Sequence, residues 1–144
     1  MRIPKSTELQ DDKPRRGDIW RVDLEPTIGS EIRSAKGRRG DTRPILVLSL
    51  PRVGEKSVYL CAPITDYKPD CDELRFWRIE IGDTPENGLD KLSCIDVSQT
   101  RALDFGRFNR QNGRAHNDET QASATALARC VGVVVPDSSE PSSQ

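Results

Sequence analysis

"RPILVLSLPRVGEKSVYLCAPIT" fills residues 43–65. Two apolar runs, 43–50 and 57–65, flank the polar stretch Pro-Arg-Val-Gly-Glu-Lys (51–56). Ile45, Leu46, Val47 and Leu48 leave no polar face, so the first run is expected as a strand buried on both sides. The second reads as another strand. Six residues rich in turn formers between them fit a hairpin connection. In such a hairpin Arg43, which starts one strand, and Thr65, which finishes the other, lie near the same end. Pro44 restricts the backbone on either side of its own peptide bond, and so holds Arg43 more rigidly than a loop would.

On the N-terminal side, "GDIWRVDL" (17–24) alternates as a strand, with Ile19 and Val22 or Leu24 inward and Asp18 and Arg21 among the polar positions; Pro26 and Gly29 close it. A loop then leads to Arg43. It gathers Arg33, Lys36, Arg38, Arg39 and Arg43 within eleven positions. On the C-terminal side, "ELRFWRIEI" (73–81) predicts a fourth strand whose alternation slips once, as a bulge would cause. "DTPENGL" (83–89) is a turn containing Asn-Gly. "KLSCIDVSQTRALD" (91–104) is one long strand or two short ones, and 107–115 is ambiguous. Asp118 with Gln121 resembles a capping box. It opens a helix over 119–130 with a thin stripe of Ala124, Leu127, Ala128 and Val131. "VGVVV" (131–135) predicts a last short strand. Short strands with one late helix, and no βαβ alternation, predict a mainly β, α+β fold: a small barrel or roll.

The chain has 144 residues and a formal charge of −1. One domain over residues 15–135 is expected, between polar tails at 1–14 and 136–144. No apolar run is long enough to span a membrane, and the N-terminus lacks a signal-peptide core. A cytoplasmic protein is therefore expected. Cys61, Cys71, Cys94 and Cys130 form no Cys-x-x-Cys pair, and reduced thiols fit them best. The small net charge hides an asymmetry. Residues 13–43 carry nine Lys/Arg against five Asp/Glu, and residues 101–116 four against one. If folding joins these segments, they form a cationic patch suited to phosphate.

Most catalytic sets are missing. His116 is the single histidine, so two-histidine ribonuclease chemistry is excluded, and zinc lacks its usual clustered ligands. There is no Gly-x-x-x-x-Gly-Lys loop, and the carboxylates show no metal-ligand spacing. Catalysis, if present, has to use Arg, hydroxyls, carboxylates, amides and backbone. An arginine is no ordinary base, but its rigid fork of donors stabilises a phosphorane or another oxyanion.

Four stretches carry a family resemblance: "RRGDIWRVDLEPTIGSE" (15–31), "TRPILVLS" (42–49), "CAPIT" (61–65) and "GLDKLSCIDVSQTRALD" (88–104). In this order they resemble the MazF/PemK family of toxin endoribonucleases. The resemblance implies an SH3-like β-barrel, a homodimer and a cognate antitoxin. It also implies metal-independent cleavage of single-stranded RNA without a cofactor. In that reaction the RNA 2′-hydroxyl attacks the adjacent phosphate and leaves 2′,3′-cyclic phosphate and 5′-hydroxyl ends. By motif position, the resemblance makes Arg43 and Thr65 catalytic. It places Ser30 and Glu31 in the loop lining the site, and Gln99 and Arg101 near the RNA path and the dimer interface. Asp18 and Trp20 would be structural, unless the indole stacks on a base. The basic residues Arg33, Lys36, Arg38 and Arg39 would hold RNA phosphates, and the 101–114 segment would supply the other half of the groove. One departure stands out: residues 32–41 make the loop before Arg43 longer than the family pattern.

Two other functions compete. A barrel that lost its active geometry to the long loop would be an inactive binding module, using residues 33–43 to hold nucleic acid or an acidic protein. A gyrase-poison toxin would need an apolar, Trp-bearing C-terminus, which "PDSSEPSSQ" (136–144) is not.

Overall fold

The structure, a computed structural model, describes residues 13–38, 40–51, 53, 57–67 and 75–136. Among the described residues seven strands precede one helix: β1 (Asp18–Val22), β2 (Arg43–Val47), β3 (Val58–Asp66), β4 (Arg78–Ile81), β5 (Ser93–Asp96), β6 (Arg101–Asp104), β7 (Phe108–Arg114) and α1 (Asn117–Cys130). All pairings are antiparallel. The strand order is β4-β5-β3-β2-β1-β7, with β6 also paired to β3. This is the expected α+β class. The sheet is strongly shared through β3, whose first half pairs β6 and last residues pair β5. The path from β4 to β7 stays open rather than closing as a ring.

The central hairpin forms as the sequence predicts. Ile45 pairs Pro63, Leu46 pairs Ala62 and Val47 pairs Cys61. Successive side chains of β1 and β2 enter two different cores, because strand side chains alternate. Ile19, Leu46 and Leu48 join Ala62, Ile64, Ile81 and Ile95. Trp20, Val22, Ile45 and Val47 join Leu24, Cys61 and Leu103. Each fully buried aliphatic side chain contributes about 1.5–3 kcal/mol, so the hairpin is stabilised from both faces. Trp20 is 7% exposed, and its ring packs edge-on against Phe105 and Phe108. It is a core side chain, not a stacking platform.

Elsewhere the structure revises the boundaries. Residues 91–104 are two strands, separated by a 3-10 turn at Val97–Gln99. Asp96 caps that turn, its carboxylate accepting from the Ser98 amide. The ambiguous stretch 107–115 is mostly strand β7. The fourth strand begins only at Arg78, and residues 73–74 of its expected range lie outside the described residues. The helix starts two residues earlier than expected, at Asn117. His116 Nδ1 accepts from the Asp118 amide at 3.4 Å, and Glu119 accepts from the His116 amide at 2.9 Å. The pair His116/Glu119, not Asp118/Gln121, therefore closes the cap. The buried face of α1 is Thr120, Ser123 and Ala126, with Leu127 against the core. The expected stripe was rotated from it, and Val131 is exposed. Small residues let the helix sit close to β4 and the 97–99 turn. The buried hydroxyls of Thr120 and Ser123 are satisfied by carbonyls one turn back.

No strand forms at 131–135, which corrects that expectation. The chain reverses at Gly132 (φ +89°), and the Gly132 and Val133 amides return to Arg129 and Ala128 carbonyls of the helix end. Those amides are spent on the cap, so the valine-rich run has no sheet edge to join. The expected tails at 1–14 and 136–144 fall mostly outside the described residues, as do Arg39 and Cys71. Cys61 and Cys94 are buried outside any disulfide, and Cys130 is exposed. Among the described residues no helix is long and apolar enough to cross a membrane.

Candidate functional site

A cleft of about 1030 Å³ opens at the end of the sheet where β2 begins and β3 finishes. The β2–β3 register, carried two residues past Ile45 and Pro63, sets Arg43 opposite Thr65, and both line the cleft. Arg43 is half-buried. Its Nη1 donates to the Ile64 carbonyl at 3.2 Å and its Nε to the Arg33 carbonyl. The guanidinium is thus pinned to backbone on two sides. Burial pushes it below its ordinary pKa; Asp66 opposes that push and Arg21 adds to it. Thr65 hydroxyl donates to the Asp66 carbonyl at 3.1 Å.

The long loop folds over one side of this end. Acceptors behind the loop tether it. Ser34 is 1% exposed; its amide donates to Glu25 Oε2 at 2.9 Å, and its hydroxyl accepts from the Leu24 amide at 2.8 Å. The Gly40 amide donates to Asp23 Oδ2 at 3.0 Å. Glu31 turns back on its own loop, accepting from the Ile28 amide at 2.9 Å. Gln99 ties the loop to the 97–99 turn: Oε1 accepts from the Ile32 amide at 2.6 Å and Nε2 donates to the Ser30 carbonyl at 2.9 Å.

Ser30, Glu31, Arg33, Lys36 and Gln99 therefore meet Arg43 and Thr65 in one cleft. Other expected positions do not. Arg38 lies outside the cleft lining and pairs with Asp41 at 3.5 Å. Arg101 lines a smaller neighbouring hollow of about 530 Å³ with Ile28, Pro63 and Thr100, and donates to the Leu24 carbonyl at 3.3 Å. The 101–114 segment does not supply half a groove as expected. Arg107 donates to the Asp23 and Glu25 carbonyls, and Arg114 pairs with buried Asp18. Of the arginines in that segment, Arg110 alone reaches the main cleft. The structural reason is that the ends of β1 expose carbonyls and a carboxylate that need donors.

Three cleft cations were missed, Arg21, Arg78 and Lys91, and Arg110 was anticipated only as part of the 101–114 segment. Arg21 was legible only as a polar position of β1. Lys91 follows the Asn-Gly turn and pairs with Asp66 at 2.8 Å, a bond that raises the Lys91 pKa. That turn is set by Asn87, 1% exposed. Its Oδ1 accepts from the Thr84 and Leu89 amides and its Nδ2 donates to the Gly82 carbonyl at 2.7 Å. Gly88 follows at φ +71°, where a Cβ would meet the Asn112 carbonyl oxygen at 2.1 Å, so only glycine fits. Asp66, Asp90, Asp96 and Glu31 also line the cleft, whose seven Lys/Arg outnumber them. Among the described residues no group of three or more His, Cys, Asp or Glu could hold a metal ion.

The fold is an open, seven-stranded antiparallel sheet with a late helix, and it sets Arg43 and Thr65 in one cationic cleft. Residues 15–131 match the model of the PemK-like, MazF-like toxins of type II toxin–antitoxin systems, and the chain belongs to that family. Solved structures share the fold at low identity. MazF from Deinococcus radiodurans is 20% identical with a TM-score of 0.66, over 84% of this chain and 98% of that one. The Mycobacterium tuberculosis toxin MazF-mt6 is 18% identical with a TM-score of 0.60, over 82% and 99%. A mycobacterial endoribonuclease in complex with its cognate antitoxin is 16% identical with a TM-score of 0.62, over 85% and 99%. No curated protein matches the sequence.

Proposed function

We propose that this MazF-like toxin is a metal-independent endoribonuclease that cuts single-stranded RNA. The observation that carries the reading is the placement of Arg43 and Thr65 across one hairpin end, inside a cleft rich in Lys and Arg. In the reaction the 2′-oxygen loses its proton and bonds to the adjacent phosphorus. The P–O5′ bond breaks, and the departing oxygen takes a proton. Negative charge grows on the non-bridging oxygens between these events. Arg43, already fixed by the Ile64 and Arg33 carbonyls, presents its remaining N–H groups to that charge without reorganising. The Thr65 hydroxyl exchanges its weak bond to the Asp66 carbonyl for one to the phosphate or to the proton in transit. Arg33 and Lys36 attract the RNA backbone. Gln99 supports Ser30 and Ile32 rather than reading bases itself, because both ends of its amide are engaged.

Proteins of this fold include an endoribonuclease bound to its antitoxin, which supports a cognate antitoxin here. Its acidic segment would cover the cationic cleft. A homodimer would use the smaller hollow around Ile28 and Arg101. The test is incubation with mixed-sequence single-stranded RNA in excess EDTA, beside Arg43→Ala, with the cut ends mapped. Cyclic-phosphate ends that vanish in the variant support the reading. Salt-sensitive binding without cleavage, kept by the variant, replaces it with the binding-module function.

A further inference from the structure

Arg21 of β1 and Arg110 of β7 stand directly opposite each other in the ladder. Like charges in that position are unfavourable for a sheet. The pair is bracketed by two irregularities: the β1–β7 register shifts between Ile19 and Trp20 and again between Arg21 and Val22. Bulges of this kind re-aim side chains and recur beside functional sites. Both arginines reach the cleft that holds Arg43 and Thr65.

Arg21 is also held in one orientation. Its Nε donates to Thr42 Oγ1 at 2.8 Å and its Nη2 to the Thr42 carbonyl at 3.0 Å. Burial pushes its pKa down, Arg110 adds to that push, and Asp90 opposes it. Arg43 in turn feels Arg21. Arg110, Arg21 and Arg43 thus come from the adjacent strands β7, β1 and β2 and line one cleft, with Arg43 one position on from Arg21, opposite Val22. A cluster of mutually repelling cations along a cleft is suited to a polyanion.

We propose that Arg21 and Arg110 form a second phosphate subsite, which holds a backbone phosphate of the RNA neighbouring the one that is cut. This rests on the ribonuclease reading. The subsite adds binding and register rather than chemistry. Two guanidiniums from adjacent strands offer donors to several oxygens of one tetrahedral anion. An acidic peptide is the other anionic ligand, and it is an outcome of the test.

The experiment uses the full chain, wild type and Arg110→Gln, with Arg21→Gln as a second variant. Arg110 is exposed, so its replacement leaves both cores intact. An oligonucleotide cut at one site is assayed in EDTA for kcat and KM at several salt concentrations. Binding is measured separately on its uncleavable analogue, 2′-deoxy at the cut. A further set of analogues carries one neutral methylphosphonate at each other linkage in turn. Arg110→Gln is expected to raise KM about five- to tenfold with kcat nearly unchanged, and to lower the salt slope by about 0.7. One methylphosphonate position should weaken the wild type by a similar factor and leave Arg110→Gln unaffected. If the wild type cleaves but no position shows this non-additivity, the subsite is overturned and the ribonuclease reading stands. If the wild type binds the analogue without cleaving and the non-additivity persists, the ribonuclease reading falls and the subsite stands. If Arg110→Gln weakens an oligo-glutamate peptide and leaves RNA untouched, the pair serves a protein ligand and the subsite is overturned.

Discussion

Gln99 and Ile32 are joined by a 2.6 Å hydrogen bond between side-chain oxygen and backbone amide, and the other end of the same amide holds the Ser30 carbonyl at 2.9 Å. A residue 67 positions away in sequence from Ile32 therefore clamps the loop that walls the cleft. Gln99→Ala removes both bonds. The expected cost is about 1–2 kcal/mol of stability, with faster hydrogen exchange at the Ile32 amide. Cleavage should fall between about tenfold and a hundredfold through misplacement of the loop. Gln99→Glu keeps the acceptor and loses the donor, so it should fall between wild type and Gln99→Ala. Unchanged exchange at Ile32 in Gln99→Ala would remove the clamp.

Arg43 and Thr65 call for conservative substitutions. Arg43→Lys keeps a positive charge and discards the planar fork. Cleavage is expected to drop by about 10² to 10³, as for a lost oxyanion donor, while RNA binding changes little. Thr65→Ser should retain most activity and Thr65→Val should not. These outcomes are read from single-turnover rates beside binding to an uncleavable RNA. Equal rates for Thr65→Val and wild type would exclude the hydroxyl from the chemistry.

Asp18 tests the frame rather than the site. It is 1% exposed and accepts from the Arg15 amide at 2.9 Å, the Trp20 indole at 3.4 Å and the Arg114 guanidinium. Asp18→Asn keeps the shape and removes the charge. Arg114 is partly in solvent, which moderates the loss to about 1–3 kcal/mol. Urea unfolding should show it, with kcat unaffected in the folded fraction.

The pH dependence of stability has one readable sign. The Gly106 amide first, and the Ser57 hydroxyl second, hold the Asp104 carboxyl below its ordinary value. A depressed native pKa adds stability that is complete above the unfolded value of about 3.9. It is lost as pH falls through the native one. Asp104→Asn should therefore unfold more easily than wild type at neutral pH, and the two midpoints should converge on acidification. A constant gap across that range would contradict the assignment.

The hairpin 43–65 was legible because its apolar run and its turn signal are local, and both depend on strand geometry alone. The Arg43–Thr65 juxtaposition followed from that hairpin. The polarity of α1 and the two strands within 91–104 were legible in part. Their ends were set by which atoms cap them, His116 with Glu119 and Asp96 with Ser98. The failed strand at 131–135 shows the limit. Its valines favour a strand, yet the amides of Gly132 and Val133 are already bonded to the helix end.

By itself the sequence determined the strand-rich class, the late helix, the basic loop and the residues able to stabilise an oxyanion. Each of these is written in short-range pattern or in residue chemistry. Only the tertiary structure decided which charges share a cleft. Arg107, Arg101 and Arg114 are equal to Arg110 in sequence, and they differ in what lies beside them. Carbonyls at 23–25 and the carboxylate of Asp18 engage the first three. Arg110, opposite Arg21 on the neighbouring strand, reaches the cleft. A guanidinium is drawn to whichever acceptors long-range strand pairing brings near it, and local sequence does not encode that pairing.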